Sequence, residues 1–177
     1  MIKLLGISGS LRRESFNTKL VHEAFRHFGA CEASVGDLNL PLFNEDVEAA
    51  GMPASVIALK DQVQAADALI ISTPEYNKNP PGVLKNALDW LSRFNPMPTA
   101  GKPTVVLSAT AGAAGGQRSQ SALYLMLMPF NVDLLVNPEV FVGQASSKFA
   151  EDGTLSDEAT ADFLGKKMKI LRERLGD

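Results

Sequence analysis

The chain has 177 residues, of which 45% are hydrophobic and 21% charged, and its formal net charge is −3. These values are typical of one globular domain over residues 1–177, and the small negative charge disfavours a broad nucleic-acid surface, which needs a basic excess. No apolar run approaches the ~20 residues of a membrane span, and the first predicted strand begins at Ile2. We therefore expect a cytoplasmic protein that binds neither nucleic acid nor a membrane.

A lone cysteine and two histidines limit the chemistry that side chains can supply. Cys31 has no second cysteine for a disulfide or a CxxC pair. His22 and His27 are five positions apart, whereas a zinc-binding pair on a helix is four apart. We expect no metal site and expect both histidines to face solvent.

The first predicted elements are a strand over residues 2–7, a polar loop, and a helix over residues 18–28. A helix N-terminus leaves backbone N–H groups without partners and attracts anions. The side chains that can donate hydrogen bonds at this point are Ser10, Arg12, Ser15 and Asn17. The pattern favours a phosphate site, although a serine and an asparagine before a helix are also ordinary N-caps.

The loop sequence Gly6-Ile7-Ser8-Gly9-Ser10 matches none of three familiar glycine motifs. A dinucleotide fingerprint needs glycines where Ser8 and Leu11 stand, and a Walker A loop needs a lysine. A nucleophile elbow needs glycine where Ser10 stands. The phosphate prediction therefore depends on the helix terminus and its donors.

The second strand is predicted over residues 31–38, and its weaker apolar character places it at an edge of the sheet. A long connection over residues 39–52 contains leucines and a phenylalanine. We expect these apolar side chains to pack against another surface, which could be that of a partner subunit. Pro53 then opens a helix.

The third strand, residues 68–72, is apolar without alternation, as expected for a parallel strand covered on both faces. It continues into residues 73–82, a loop stiffened by three prolines. Open α/β sheets bind ligands at such carboxyl ends of central strands. The alternative interpretation is a rigid turn with Pro81 at the start of the next helix.

The fourth strand, residues 104–108, leads into a second loop of small residues, 109–116. Small side chains let backbone N–H groups reach the edge of a flat ligand, and the alternative is a merely flexible loop. The segment 122–128 in the following helix is apolar nearly all round, which favours an oligomer interface.

The C-terminal part is predicted to hold the fifth strand within residues 132–142 and a polar, mobile connection over residues 143–153. A last helix follows, capped by Ser156, with Phe163 on its buried face. Five strands alternating with five helices predict an α/β fold. We expect a doubly wound five-stranded parallel sheet in the order 2-1-3-4-5 with helices on both faces.

In this fold the loops after strands one, three and four meet at one end of the sheet. A ligand with a terminal phosphate and a flat polar ring would span them, and FMN has that shape. Since no cysteine pair, metal cluster or histidine dyad is available, redox chemistry would belong to the cofactor.

Several segments together form a recognisable pattern: Gly9-Ser10-Leu11-Arg12, Ser15-Phe16-Asn17, Thr73-Pro74-Glu75-Tyr76-Asn77, residues 81–90, Gly101-Lys102-Pro103 and Gly115-Gly116. The chain resembles the NAD(P)H-dependent FMN reductase family over residues 1 to about 143. Bacterial chromate and quinone reductases and their azoreductase relatives are the nearest in pattern. The resemblance implies a flavodoxin-like fold, tightly bound FMN, and a homodimer or homotetramer with the flavin near a subunit boundary.

The resemblance also implies roles by position. The phosphate would contact Ser10, Arg12, Ser15 and Asn17, with Phe16 beside the ribityl chain. The isoalloxazine ring would contact Pro74, Glu75, Tyr76 and Asn77, with Thr110 and Gly112 at its pyrimidine side. Lys78 and Ser108 are two further candidates.

The expected reaction is a two-electron, ping-pong transfer. A hydride passes from NADPH or NADH to flavin N5, and two electrons then pass to a quinone or a similar acceptor, such as an azo compound or chromate. No side chain need act as acid or base. The alternatives are a reductase that supplies reduced FMN to a partner, a flavodoxin-type electron carrier, which Arg12 and the charge of −3 disfavour, and a non-redox nucleotide-binding module.

Overall fold

A computed structural model describes residues 1–176, so Asp177, the last residue of the expected domain, lies outside the described residues. The strands are β1 (Lys3–Ser8), β2 (Glu32–Gly36), β3 (Ala68–Ser72), β4 (Pro103–Ala109) and β5 (Asp133–Val142). They form one parallel sheet in the order β2-β1-β3-β4-β5. The predicted flavodoxin-like topology is confirmed, with β2 at an edge.

Six α-helices are present within residues 1–176: α1 (Phe16–Phe28), α2 (Glu45–Ala50), α3 (Ala54–Ala65), α4 (Gly82–Leu91), α5 (Gln117–Leu127) and α6 (Glu158–Arg174). The short helix α2 lies in the long connection and was not predicted. Over this described part of the chain, no helix combines the length and apolar character that crossing a bilayer requires.

Two cores cover the two faces of the sheet. Leu20 of α1 and Met168 of α6 pack on one face, and Leu59 of α3 and Leu88 of α4 pack on the other. Successive residues of β3 enter the two cores in turn, so that Ile70 joins the first and its neighbours join the second. Burial on both faces explains why this strand is apolar without alternation.

The structure corrects three predictions near the C-terminus. Residues 148–156 form a small antiparallel hairpin, and the expected polar, mobile connection is wrong, because Phe149 and Leu155 join the core from the hairpin. Asp157, and not Ser156, caps α6 by accepting a hydrogen bond from the Thr160 amide at 2.9 Å. Phe163 is 51% exposed and does not belong to the buried face.

Strand β5 carries a bulge in the segment that contains Pro138. Val105 of β4 pairs with Leu135, but Leu107 pairs with Val140, so β5 holds extra residues between these pairs. Lys167 of α6 is 0% exposed, and its Nζ donates to the carbonyl oxygens of Leu135 and Val136, each at 2.5 Å. Burial lowers the pKa of Lys167 to about 8.

The histidines differ in exposure. His22 is exposed as predicted, whereas His27 is half-buried, and burial lowers the pKa of its imidazole.

Candidate functional site

The loops after β1, β3 and β4 meet at the carboxyl end of the sheet and enclose a cleft of about 370 Å³. The lining residues are Ser10, Arg12, Ser15, Phe16, Asn17, Pro74, Glu75, Tyr76, Ala109, Thr110, Ala111 and Gly112. Of the predicted site residues, Asn77, Lys78 and Ser108 do not line this cleft. Ala109 and Ala111 were missed, although both lie in the small-residue loop that the sequence singled out.

Gly9 allows the first loop to touch the second. Its amide donates to the Ser72 carbonyl oxygen at 2.8 Å, and a Cβ at this position would lie 3.1 Å from Cδ of Pro74. A larger side chain would push the two walls of the cleft apart.

The polar end of the cleft lies at the N-terminus of α1. Ser15 caps the helix, since its Oγ accepts from the amides of Asn17 and Thr18 at 3.2 and 3.3 Å. Its hydroxyl hydrogen can still be donated to an anion. Both interpretations of this serine, as cap and as anion donor, are therefore compatible with the geometry.

Arg12 extends along the same end of the cleft. Its Nη2 donates to the Glu14 carbonyl oxygen at 2.5 Å, and its guanidinium carbon lies 5.8 Å from the centre of the Phe16 ring. Arginine has five N–H donors, so this bond does not exhaust the group. The Ser10 hydroxyl oxygen accepts from the Arg12 amide at 3.3 Å. Hydroxyls, a guanidinium and a helix N-terminus together suit a phosphate.

Asn17 has a second role that sequence reasoning missed. Its side chain is buried, its Nδ2 donates to the Ala109 carbonyl oxygen at 2.9 Å, and its Oδ1 accepts from the Ala109 amide and the Ser72 hydroxyl at 3.0 and 2.9 Å. These bonds join α1 to the ends of β3 and β4. Of the side-chain donors of Asn17, only the second hydrogen on Nδ2 is left for the predicted phosphate contact.

Glu75 is held by helix α5. Its Oε2 accepts from the amides of Arg118 and Ser119 at 3.1 and 3.2 Å, and its Oε1 lies 3.8 Å from Nη1 of Arg118. The N-cap of α5 is Gly116, which has no side chain to offer, so the carboxylate takes over that function. This contact spans more than 40 positions of sequence, and no local pattern indicates it.

A tight turn over residues 76–79 forms the mouth of the cleft. The backbones of Tyr76 and Asn79 exchange hydrogen bonds at 3.0 and 3.1 Å, and Asn77 and Lys78 have φ values of 51° and 67°. Two successive residues with positive φ are typical of a hairpin turn. Tyr76 is 56% exposed, and the turn places Asn77 and Lys78 on the rim rather than in the lining.

The small-residue loop is fixed by the chain that follows β5. The Thr110 amide donates to the Val142 carbonyl oxygen at 2.9 Å, and the Gln144 amide donates to the Gly112 carbonyl oxygen at 3.1 Å. A Cβ at Gly143 would lie 2.3 Å from the Ala113 carbonyl oxygen. By contrast, nothing lies within 4 Å of a Cβ built at Gly112. The loop is therefore hydrogen-bonded on its outer side, and the space at Gly112 is open towards the cleft.

Ser108 lies behind this loop and not in the cleft. It is buried, its Oγ donates to the Gly115 carbonyl oxygen at 2.5 Å, and it accepts from Nε2 of Gln120 at 2.8 Å. The same Nε2 donates to the Val140 carbonyl oxygen at 2.7 Å. The geometry of Ser108 is that of a support for the loop.

The chemistry of the lining fits FMN. Donors gather at one end, where a phosphate would lie, and flat walls made by Pro74, Tyr76 and the small residues from Ala109 to Gly112 stand at the other. The open space at Gly112 lets a planar ring approach the backbone.

Comparisons with known proteins agree with this geometry. The model of the NADPH-dependent FMN reductase family matches residues 2–147. An NAD(P)H-dependent FMN reductase of Pseudomonas aeruginosa is 40% identical over 173 residues, which are 97% of this chain and 94% of the relative. A quinone reductase of Escherichia coli K12 is 36% identical over 178 residues, again 97% and 94% of the two chains.

The solved structure of a flavoenzyme, an NAD(P)H:(acceptor) oxidoreductase from Paracoccus denitrificans, superimposes with a TM-score of 0.90 at 31% identity. The match covers 99% of this chain and 98% of that one. An azoreductase from Bacillus anthracis has a TM-score of 0.65 at 18% identity and shows the fold alone. The family match, the two relatives and the cleft lead to one conclusion: this chain belongs to the NADPH-dependent FMN reductase family of oxidoreductases.

Proposed function

We propose that this protein is a quinone reductase that uses NADPH or NADH in a two-electron, ping-pong reaction, with the cleft of about 370 Å³ as its active site. Family membership already makes the chain an oxidoreductase that works with FMN and NAD(P)H. The observation that carries the choice of site is that the donors at the α1 N-terminus and the two flat walls border one cleft.

At the polar end, Ser10, Arg12 and Ser15 would bind the phosphate through their hydroxyls and guanidinium, beside the α1 N-terminus. Asn17 would act there chiefly by holding the end of β4 against α1 through Ala109. Phe16 would form the side wall next to the ribityl chain.

At the other end, Pro74, Glu75 and Tyr76 would border the flavin ring, with Thr110 and Gly112 at its pyrimidine edge. The rim residues Asn77 and Lys78 would contact the ring or the incoming nicotinamide from the mouth of the cleft. Ser108 would act only indirectly, through the loop that it supports.

When bound, FMN would supply the redox chemistry, namely hydride acceptance and two-electron transfer. The residues that line the cleft would bind the cofactor and orient it towards the substrates. Glu75, the carboxylate of the lining, is held by the α5 amides, so we assign it no acid or base step. The exposed position of Tyr76 leaves the mouth open for two substrates in turn.

Quinones are the acceptors we favour, since curated relatives at 36–37% identity are named quinone reductases. Azo compounds and chromate are further acceptors to test. A homodimer or homotetramer is supported by Leu125 and Met128, which are exposed apolar side chains on and just beyond α5, and by exposed Leu42 in the long connection. Dependence on NAD(P)H supports a cytoplasmic location.

An anaerobic spectrum tests the proposal. The purified protein, supplied with FMN and desalted, should be yellow, lose its visible absorbance on addition of NADPH or NADH, and regain it when a benzoquinone is added. A protein that stays colourless after FMN is supplied would contradict the site. A flavin that bleaches but leaves the protein on reduction would favour the alternative of a reductase that supplies reduced FMN.

A further inference from the structure

The hairpin over residues 148–156 lies beyond residues 2–147, the part of the chain that the family match covers. It is closed by backbone hydrogen bonds from Ser156 to Lys148 and from Ala150 to Thr154, both 2.9 Å. Phe149 and Leu155 face each other across it. The hairpin does not line the cleft, yet one of its side chains touches a residue that does.

That side chain is Phe149, which is 8% exposed. Its ring stacks on the ring of Phe16, with 5.6 Å between the ring centres and 25° between the planes. Phe16 is the first residue of α1, is half-buried, and lines the cleft. Phe149 therefore supports a wall of the cleft from outside.

The hairpin is tied to the same helix, α1. Glu23 of α1 is buried, and its Oε2 accepts from the Leu155 amide at 3.0 Å. Arg26 holds the carboxylate with bonds of 2.9 and 2.6 Å. Burial alone would raise the pKa of Glu23, but the hydrogen bonds from Arg26 and Leu155 outweigh it and keep the pKa below its usual value. The tie therefore stays charged at neutral pH.

We propose that Phe149 is a positioning residue of the cofactor site, which acts through Phe16, and that Glu23 is the tie that keeps it in place. The inference rests on the proposed function, because FMN is the ligand. A ring at the start of a helix can change rotamer, and holding it in the bound orientation before FMN arrives removes part of the ordering cost of binding.

The test is a double-mutant cycle on FMN affinity, measured by quenching of flavin fluorescence when the apoprotein is titrated with FMN. Phe149→Ala should raise the Kd about three- to tenfold, the size of a lost aromatic pair. In the Phe16→Ala background, Phe149→Ala should change the Kd no further. Leu59→Ala is the control, because it removes a core side chain on the opposite face of the sheet and should lower thermal stability without changing the Kd.

The outcomes are distinct. A wild-type apoprotein that does not bind FMN would overturn the proposed function and this inference with it. Wild-type binding with an unchanged Kd in Phe149→Ala, or full additivity with Phe16→Ala, would overturn the inference alone. The visible circular dichroism of bound FMN provides a second readout, since a displaced Phe16 should change the signal and the Leu59→Ala control should not.

If Phe149→Ala does not fold, Glu23→Gln gives an independent test. Loss of the carboxylate weakens the bond to the Leu155 amide, so hydrogen exchange over residues 148–156 should become faster, and the Kd for FMN should rise. Faster exchange with an unchanged Kd would contradict the inference, since the hairpin would then be free to move without affecting the cleft.

Discussion

The two ends of the cleft are built in different ways. At the polar end, Ser10 and Arg12 present side chains from a loop, and their donors can reach a ligand. At the ring end, Glu75 and the small-residue loop are held from behind, by the amides of α5 and by the chain after β5. Substitutions at the polar end should therefore change affinity, and substitutions at the ring end should change the shape of the cleft and the stability of the fold.

Asn17 lines the polar end of the cleft and also holds Ala109 at the start of the small-residue loop. Its replacement should therefore have the largest effect on stability. Asn17→Ala leaves the amide and carbonyl of Ala109 without their partner. At about 1–3 kcal/mol for each group, the free energy of unfolding should fall by roughly 2–6 kcal/mol. Urea denaturation measures this free energy of unfolding. Asn39→Ala, at an exposed position, is the control and should leave it unchanged. A stable Asn17→Ala variant with weakened FMN binding would instead make Asn17 a pure ligand residue.

Arg12→Ala tests the polar end. It should weaken FMN binding by roughly 1.5–3 kcal/mol, the value of a hydrogen bond to a charged group, and leave the urea midpoint unchanged. Arg13→Ala changes the neighbouring charge, which lies outside the lining, and should have a smaller effect. If the two variants weaken FMN binding equally, Arg12 attracts the phosphate only by its charge and does not contact it.

Gly143→Ala tests the ring end. The added Cβ would overlap the Ala113 carbonyl oxygen, so stability should fall by about 1–3 kcal/mol, and FMN affinity should fall with it. Gly112→Ala is the matched control, because a Cβ there has open space in the protein. If Gly112→Ala weakens FMN binding at unchanged stability, the ligand itself occupies that space, which would sharpen the assignment.

Glu75→Gln is expected to have the smallest effect. The amide keeps one acceptor oxygen for the α5 amides but loses the negative charge, a change of about 0.3–1 kcal/mol at a helix N-terminus. Thermal unfolding measures this difference, and it should shrink in high salt. A loss of FMN binding without a loss of stability would show that Glu75 contacts the ligand more than it caps the helix.

Sequence reasoning worked where the pattern is local. The uninterrupted apolar run of β3 predicts burial on both faces, and Ser15 before an apolar periodicity predicts a helix start. Alternation of strands and helices restricts the topology to a doubly wound sheet. The meeting of the three loops followed from that topology, whereas the individual residues at the ring end of the cleft were named through the resemblance to the reductase family.

Sequence reasoning failed where distant segments meet. Glu75 and Ser119 are 44 positions apart, and Glu23 and Leu155 are 132 apart, so neither contact has a periodic signature. Phe163 follows the apolar spacing of α6 but lies beside the buried stripe. The cap of α6 was predicted one residue too early, at Ser156, because serine and aspartate both cap helices and residue type does not choose between neighbours. The resemblance implied a ligand contact for Ser108, and the structure places this residue behind the small-residue loop, outside the lining of the cleft.

The bulge of β5 bears on how the protein avoids aggregation. This strand is the outermost on its side, and an outermost strand is a template on which a strand of another chain can add. Pro138 contributes no N–H, and the extra residues break the regular spacing of the remaining donors. Lys167 occupies two of the carbonyl groups from beneath. The outer rim of the sheet is thus interrupted at its middle, which protects the folded protein against growth into sheets shared between molecules.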